Sequence, residues 1–267
     1  MHMRQFAVVV AAGVAVVCLS VPTASQPMNR LAATRAQLLK FPLFYHSRSV
    51  AVVDTPRLAD GVWRLPAEAG RTFAVVFRTA PSSEGPVEIR GTFVDVGRFA
   101  PDDSRVTAFL LSPVVQAAAV PGGGWPARET VFALVNAVAA PRETTRTPSL
   151  RMIALDPEAY DGKPITVRGR FRGRNLKGDM PSWPRQSASD FVLQAADGAI
   201  WVTGAKPKGK GFDLDPQARR DLGRWLEVSG TLTIAEGQPM LKATVIAQSS
   251  PDDEGLASMR LSGVTLD

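Results

Sequence analysis

From Ser49 onward the chain is built of short apolar or alternating runs broken by turn residues, which is the pattern of a β protein. In the first part, Val50–Val53, Val62–Leu65, Thr72–Phe77, Val87–Val96 and Val106–Leu111 read as strands. Glu68-Ala69-Gly70-Arg71 offers a hairpin turn between the second and third of these. Apolar and polar residues alternate strictly in Val87-Glu88-Ile89-Arg90-Gly91-Thr92-Phe93, and Gly91 stands where a bulge or sharp coil is needed. Ahead of the strands, Leu31–Lys40 reads as a short helix with Leu31, Leu38 and Leu39 as its apolar positions.

The pattern changes between Ser112 and Ser149, which hold Pro121-Gly122-Gly123-Gly124, an apolar run at Glu129–Ala139 and a Thr/Arg-rich stretch from Pro141 to Pro148. The spacing of Val131, Leu134, Val135 and Val138 predicts a helix inside an interdomain connector. The glycine triplet is not a P-loop, because no Lys-Ser/Thr follows to hold phosphate and metal. Beyond it, Asp156-Pro157-Glu158 starts a short helical turn, and Asp161-Gly162-Lys163 leads into a strand at Ile165–Gly173. Phe191–Ala195 and Ala199–Thr203 flank the hairpin signal Asp197-Gly198. Asp215-Pro216 caps a predicted helix to about Leu222, and the strands Trp225–Ile234 and Met240–Gln248 close the block around Gly237-Gln238-Pro239.

Five strands with a helix between the third and fourth is the plan of the OB-fold, a small Greek-key barrel. The segment from Leu155-Asp156-Pro157-Glu158 through Ile165-Thr166-Val167-Arg168-Gly169, and the closing Trp225-Leu226-Glu227-Val228-Ser229-Gly230-Thr231-Leu232, resemble bacterial OB-fold domains of the tRNA-anticodon-binding-like type. Similar wording occurs in exported bacterial proteins, and the resemblance implies fold more than activity. It covers Arg151–Ser250, and the first block echoes it: Val87–Phe93 set against Leu226–Leu232 matches at Glu, Gly and Thr. The expected architecture is mainly β, with two OB-like small β-barrels, the first a divergent copy, joined by a linker with a short helix. The expected domains are a signal peptide at 1–25, a divergent barrel at 30–112, the linker at 113–150, the second barrel at 151–250 and an acidic tail at 251–267.

Composition then limits the chemistry. Arg4 precedes the apolar run FAVVVAAGVAVVCLSV, and Pro22-Thr23-Ala24-Ser25 supplies small residues for cleavage, so export to the periplasm or outside the cell is expected. The alternative is anchoring by the same segment, although its run is shorter than the roughly 20 residues of a spanning helix. Cleavage would remove Cys18 and His2, leaving a chain without cysteine and with His46 alone. Disulfides, thiol nucleophiles and Cys- or multi-His zinc sites are then excluded, and a Ser-His-Asp triad could form only around His46. The expected role of His46 is a hydrogen bond to backbone at the start of a strand. Asp102-Asp103, Asp213/Asp215 and Asp252-Asp253-Glu254 are the acid clusters, each explained by a turn, a cap or a solvated tail.

The chain carries 31 Lys+Arg against 25 Asp+Glu, a net charge of +6. The densest basic feature is Lys163, Arg168, Arg170, Arg172, Arg174 and Lys177, with no acid between Gly162 and Gly178. Period-two alternation sets Arg168, Arg170 and Arg172 on one face while Val167 and Phe171 point into the barrel. Lys206, Lys208 and Lys210 form a second group in a Gly/Pro loop, and Trp225 and Trp183 are candidate aromatic platforms. These ten residues, Lys163 left aside, are the expected ligand-binding set. The reading is an exported, non-enzymatic binding or interaction protein that uses no cofactor and no metal. Its partner would be an anionic envelope component or an acidic protein. Two alternatives are a nucleic-acid- or polyanion-binding protein working through the arginine face, and a metal-dependent phosphodiesterase on the same scaffold.

Overall fold

The computed structural model describes residues 30–82, 85–118, 120–141, 148–182 and 187–250. The expected signal peptide, the acidic tail and Trp183 lie outside these residues. The chain is mainly β, as its alternation implies, and forms two units with the same strand connectivity.

The first unit runs β1 (Leu31–Ala32), α1 (Arg35–Lys40), α2 (Pro42–Tyr45), β2 (Arg48–Asp54), β3 (Arg57–Ala59), β4 (Val62–Leu65), β5 (Thr72–Phe77), β6 (Val87–Asp95), α3 (Ser104–Ala108), α4 (Ser112–Ala117) and β7 (Val131–Ala140). The second runs α5 (Leu150–Leu155), β8 (Pro164–Phe171), β9 (Phe191–Ala195), β10 (Gly198–Thr203), β11 (Lys208–Gly209), β12 (Phe212–Asp213), β13 (Trp225–Ala235) and β14 (Gln238–Gln248).

In the second unit the order β10-β14-β13-β8-β9 closes into a barrel, and its single parallel pair is β10 with β14. This is OB-fold topology, with β8, β9, β10, β13 and β14 as strands one to five. Alternation fills the interior with Ile165, Val167, Phe171, Leu193, Ile200, Val202, Leu226, Val228 and Leu241. In the first unit the ladder β2-β6-β7-β5-β4 repeats that order, again with strands three and five, β5 and β7, in parallel. This barrel is open. β1 pairs along one edge of β2, while β3 pairs with β4 at the opposite end of the seven-stranded sheet, so strands one and two do not meet.

The echo between Val87–Phe93 and Leu226–Leu232 now has a physical cause. Both segments are strand four, and in both the glycine lies at a register shift against strand five, between Arg90 and Thr92 in one and between Ser229 and Gly230 in the other. A Cβ on Gly230 would stand 2.2 Å from the Lys242 carbonyl oxygen, and one on Gly91 would stand 3.0 Å from that of Val135. The strands cross too closely for a side chain.

Four local expectations are corrected. Glu129–Ala139 is not a helix in a linker: Val131–Ala140 is a central strand between β5 and β6, and five consecutive positions of it are buried. A continuous apolar run covered on both faces fits either period, and its β-branched valines favour the strand. The first unit therefore extends through residue 140. Val106–Leu111 is not a strand either, because Asp103 caps α3 by accepting the Arg105 N–H and Leu110 takes a positive φ of 54°. Leu31–Lys40 divides into β1 and α1, with a Thr34–Gln37 capping box starting the helix at Arg35. The helix expected after Asp215-Pro216 is only a 3₁₀ turn at Arg219–Asp221, and α5, ahead of β8, packs against the barrel instead, with Leu150 and Ile153 in the core.

The two units pack against each other. Ala32 N–H donates to the Asp197 carbonyl at 2.8 Å, Lys40 Nζ to that of Glu236 at 2.6 Å, and an Arg48 Nη to that of Gly178 at 3.1 Å. Arg151 joins Glu88 of β6 to Asp197 of the β9–β10 turn.

Candidate functional site

The outward face of β8 and β13 carries the basic stripe. Antiparallel register sets Thr166 opposite Ser229, Arg168 opposite Glu227 and Arg170 opposite Trp225. Each pair is in contact: the two hydroxyls at 2.8 Å, Arg168 Nε to Glu227 Oε2 at 2.6 Å, and the Arg170 guanidinium over the Trp225 ring at 5.5 Å from its centroid. The expected strand phase holds for Arg168 and Arg170, since Val167 and Phe171 enter the core. Arg172 lies one residue beyond β8 and donates from Nε and an Nη to the two carboxylate oxygens of Asp179, at 2.7 and 2.9 Å. The charge of the stripe is thus largely matched by acids that are remote in sequence or in the next loop.

Arg170 is the exception. It has no carboxylate partner among the described residues. Together with Arg172, Trp225, Gln194 and Asp197 it lines a groove of about 370 Å³, to which the first unit contributes Arg30 and Leu31. Arg30 arrives because β1 is tied to the β9–β10 turn through Ala32 and Asp197. Its Nε is buried and has no hydrogen-bond partner among the described residues. Sequence reading missed Arg30 and Gln194. No local signal marks Arg30, which stands far from the stripe along the chain and beside the expected leader.

The remaining candidates lie elsewhere. Arg174 is half-buried and Lys177 exposed in the loop after β8. Lys206 and Lys208 reach Asp213 at 3.0 and 3.6 Å across the β11–β12 hairpin, and Lys210 is exposed at its turn. None of these five lines the groove.

The outward face of β9, β10 and β14 is covered, although in OB-folds the surface around strands two and three is the usual ligand platform. Val192, Trp201 and Met240 point away from the barrel core yet are 0%, 0% and 6% exposed. Met180 from the loop after β8 packs with them, together with Ala199 and the partly buried Ala235, and the first unit's contacts from Ala32, Lys40 and Arg48 reach the loops at Asp197, Glu236 and Gly178.

His46 plays the backbone role expected of it. Its Nδ1 accepts the Asp95 N–H at 3.1 Å. Burial lowers its pKa, Asp95 opposes that shift, and Arg98 and Arg105 reinforce it. Among the described residues no three His, Cys, Asp or Glu side chains are grouped to hold a metal.

No protein family model matches the chain, and no curated protein matches it. Among solved structures, the telomere capping protein Ten1 from Saccharomyces pombe matches at 12% identity over 45% of this chain and 95% of its own, with a TM-score of 0.26. The hypothetical protein ygiW from E. coli matches at 15% identity over 40% and 94%, with a TM-score of 0.28. U. maydis replication protein A, solved bound to ssDNA, matches at 12% identity over 45% and 94%, with a TM-score of 0.24. The OB-fold assignment itself rests on the strand order and register described above.

Proposed function

We propose that this is an exported, non-enzymatic binding protein whose two OB-like units act as one body and offer a single positively charged groove to an anionic component of the cell envelope. The observation that carries the reading is the convergence of Arg30, Arg170 and Arg172 with Trp225 on one groove at the junction of the units. Guanidinium groups beside an aromatic ring suit an anion attached to an organic body. The nucleic-acid alternative, in the manner of anticodon-binding-like barrels, calls on the outward face of strands two and three, and here Trp201 on that face is buried.

The test is binding of the full chain to vesicles containing an anionic lipid, to heparin and to a single-stranded oligonucleotide across a salt series. Binding that weakens with salt and is lost in Arg170→Glu supports the reading, since exposed-site charge interactions are screened. Equal behaviour of wild type and Arg170→Glu on every probe overturns it. Recovery of the protein outside the cytoplasm with an N-terminus near Ser25 or Gln26 tests the export component.

A further inference from the structure

We infer that the groove is a composite site for a single phosphate monoester group, held between Arg30 of the first unit and Arg170 of the second. The inference rests on the binding reading above and specifies its ligand.

Charge accounting within the groove leads to this ligand. Five charged side chains line it: Arg30, Arg170, Arg172, Asp179 and Asp197. Asp179 is engaged by Arg172 through both oxygens, and Asp197 is paired with Arg151 of α5 at 2.9 Å. Both acids are therefore engaged by arginines, and among the described residues lining the groove Arg30 and Arg170 are the cations without a carboxylate. An oxyanion in the groove would supply these two guanidiniums with the counter-charge that the described side chains do not. Two guanidiniums match the charge of about −2 on a phosphate monoester near neutral pH.

The surroundings favour a compact ligand over a polymer. A volume of about 370 Å³ lies in the lower part of the range for small-ligand sites. A linear polyanion needs a row of free cations along its path. On one side of Arg170 the row is interrupted by the Arg168–Glu227 pair, and on the other by Arg172–Asp179. Leu31, Ala199 and the Trp225 ring offer apolar surface for the group that bears the phosphate. The Gln194 amide donates to the Ala196 carbonyl, which leaves its side-chain oxygen as an acceptor for a hydroxyl.

The experiment measures binding of the full chain to inorganic phosphate, glycerol 3-phosphate, phosphatidic acid in phosphatidylcholine vesicles, and a dT12 oligonucleotide. Arg30→Gln, Arg170→Gln and Arg168→Gln are compared with wild type after their unfolding midpoints are shown to match. The inference expects glycerol 3-phosphate to bind, Arg30→Gln and Arg170→Gln each to weaken it by about tenfold or more, and Arg168→Gln to leave it unchanged. Binding of phosphatidic acid vesicles with the same variant pattern, at lower total phosphate, assigns the group to a lipid headgroup. Binding of the soluble ester alone assigns it to a free metabolite. Unchanged affinity in Arg30→Gln overturns the composite site. Preference for dT12 with loss in Arg168→Gln overturns the compact ligand and leaves the anion-binding reading standing. If none of the four probes binds, the phosphate assignment falls. Absence of salt-dependent binding to heparin and anionic vesicles as well removes the broader reading with it.

Discussion

Arg151, in the first turn of α5, holds Glu88 of β6 through both carboxylate oxygens, at 2.6 and 3.0 Å, across the junction of the two units. Glu88 is 1% exposed, and Arg90 reaches the same carboxylate from its own strand. Burial by itself would raise the Glu88 pKa, but the hydrogen bonds and charges of Arg151 and Arg90 outweigh it, and the net shift is downward. The α5 backbone comes this close because residue 198 is glycine: a Cβ there would stand 2.4 Å from the Arg151 nitrogen. The ion pair makes the junction a structural element of the fold.

Replacing Arg151 with Ala should lower stability by about 3 kcal/mol in urea unfolding, because it leaves a buried carboxylate with fewer partners. Adding Glu88→Gln to that background should recover part of the loss. Since the folded pKa of Glu88 is depressed, its contribution is complete above the ordinary carboxylate range and disappears as pH falls through the lowered value. Wild type should therefore lose more stability than the double variant as the pH is taken below about 4. Equal acid sensitivity of the two would contradict this account.

His46 predicts a second, milder acid effect. Its folded pKa lies below the usual value, so the protein is more stable with a neutral imidazole, and that advantage is lost as pH falls from about 6.5 through the lowered folded pKa. Protonation also removes the acceptor that Nδ1 presents to Asp95 N–H. Thermal melts of wild type should show a falling midpoint between about pH 7 and 5. The fall should be smaller in His46→Gln, which cannot titrate. A slope unchanged by the substitution would assign the effect to another group.

The two equivalent glycines should differ in their tolerance. Gly230→Ala places a methyl 2.2 Å from a backbone oxygen and should cost at least about 3 kcal/mol, while Gly91→Ala, at 3.0 Å, should cost about 1 kcal/mol. Denaturant midpoints of the two variants check the ranking. Equal costs would mean that the crossing of strands four and five relaxes equally in both units.

Sequence alone determined whatever depends on the period of side chains along a strand and on the chemistry of turns. Alternation gave the inward pair Val167 and Phe171 and the outward pair Arg168 and Arg170, because a strand's side chains change face at every residue. The match of Val87–Phe93 to Leu226–Leu232 marked the shared strand four, since a close crossing demands glycine at one fixed place. Tertiary structure decided what depends on neighbours distant in the chain. Val131–Ala140 became a central strand because β5 and β6 pair with its two edges and an apolar cluster covers each of its faces, and a run buried on every face carries no period to read. The arginine stripe was legible as a face, but its charge was not, because Glu227 and Asp179 neutralise it only after folding. Arg30 joined the groove for the same reason: one backbone hydrogen bond, from Ala32 to Asp197, brings together residues that no local pattern connects.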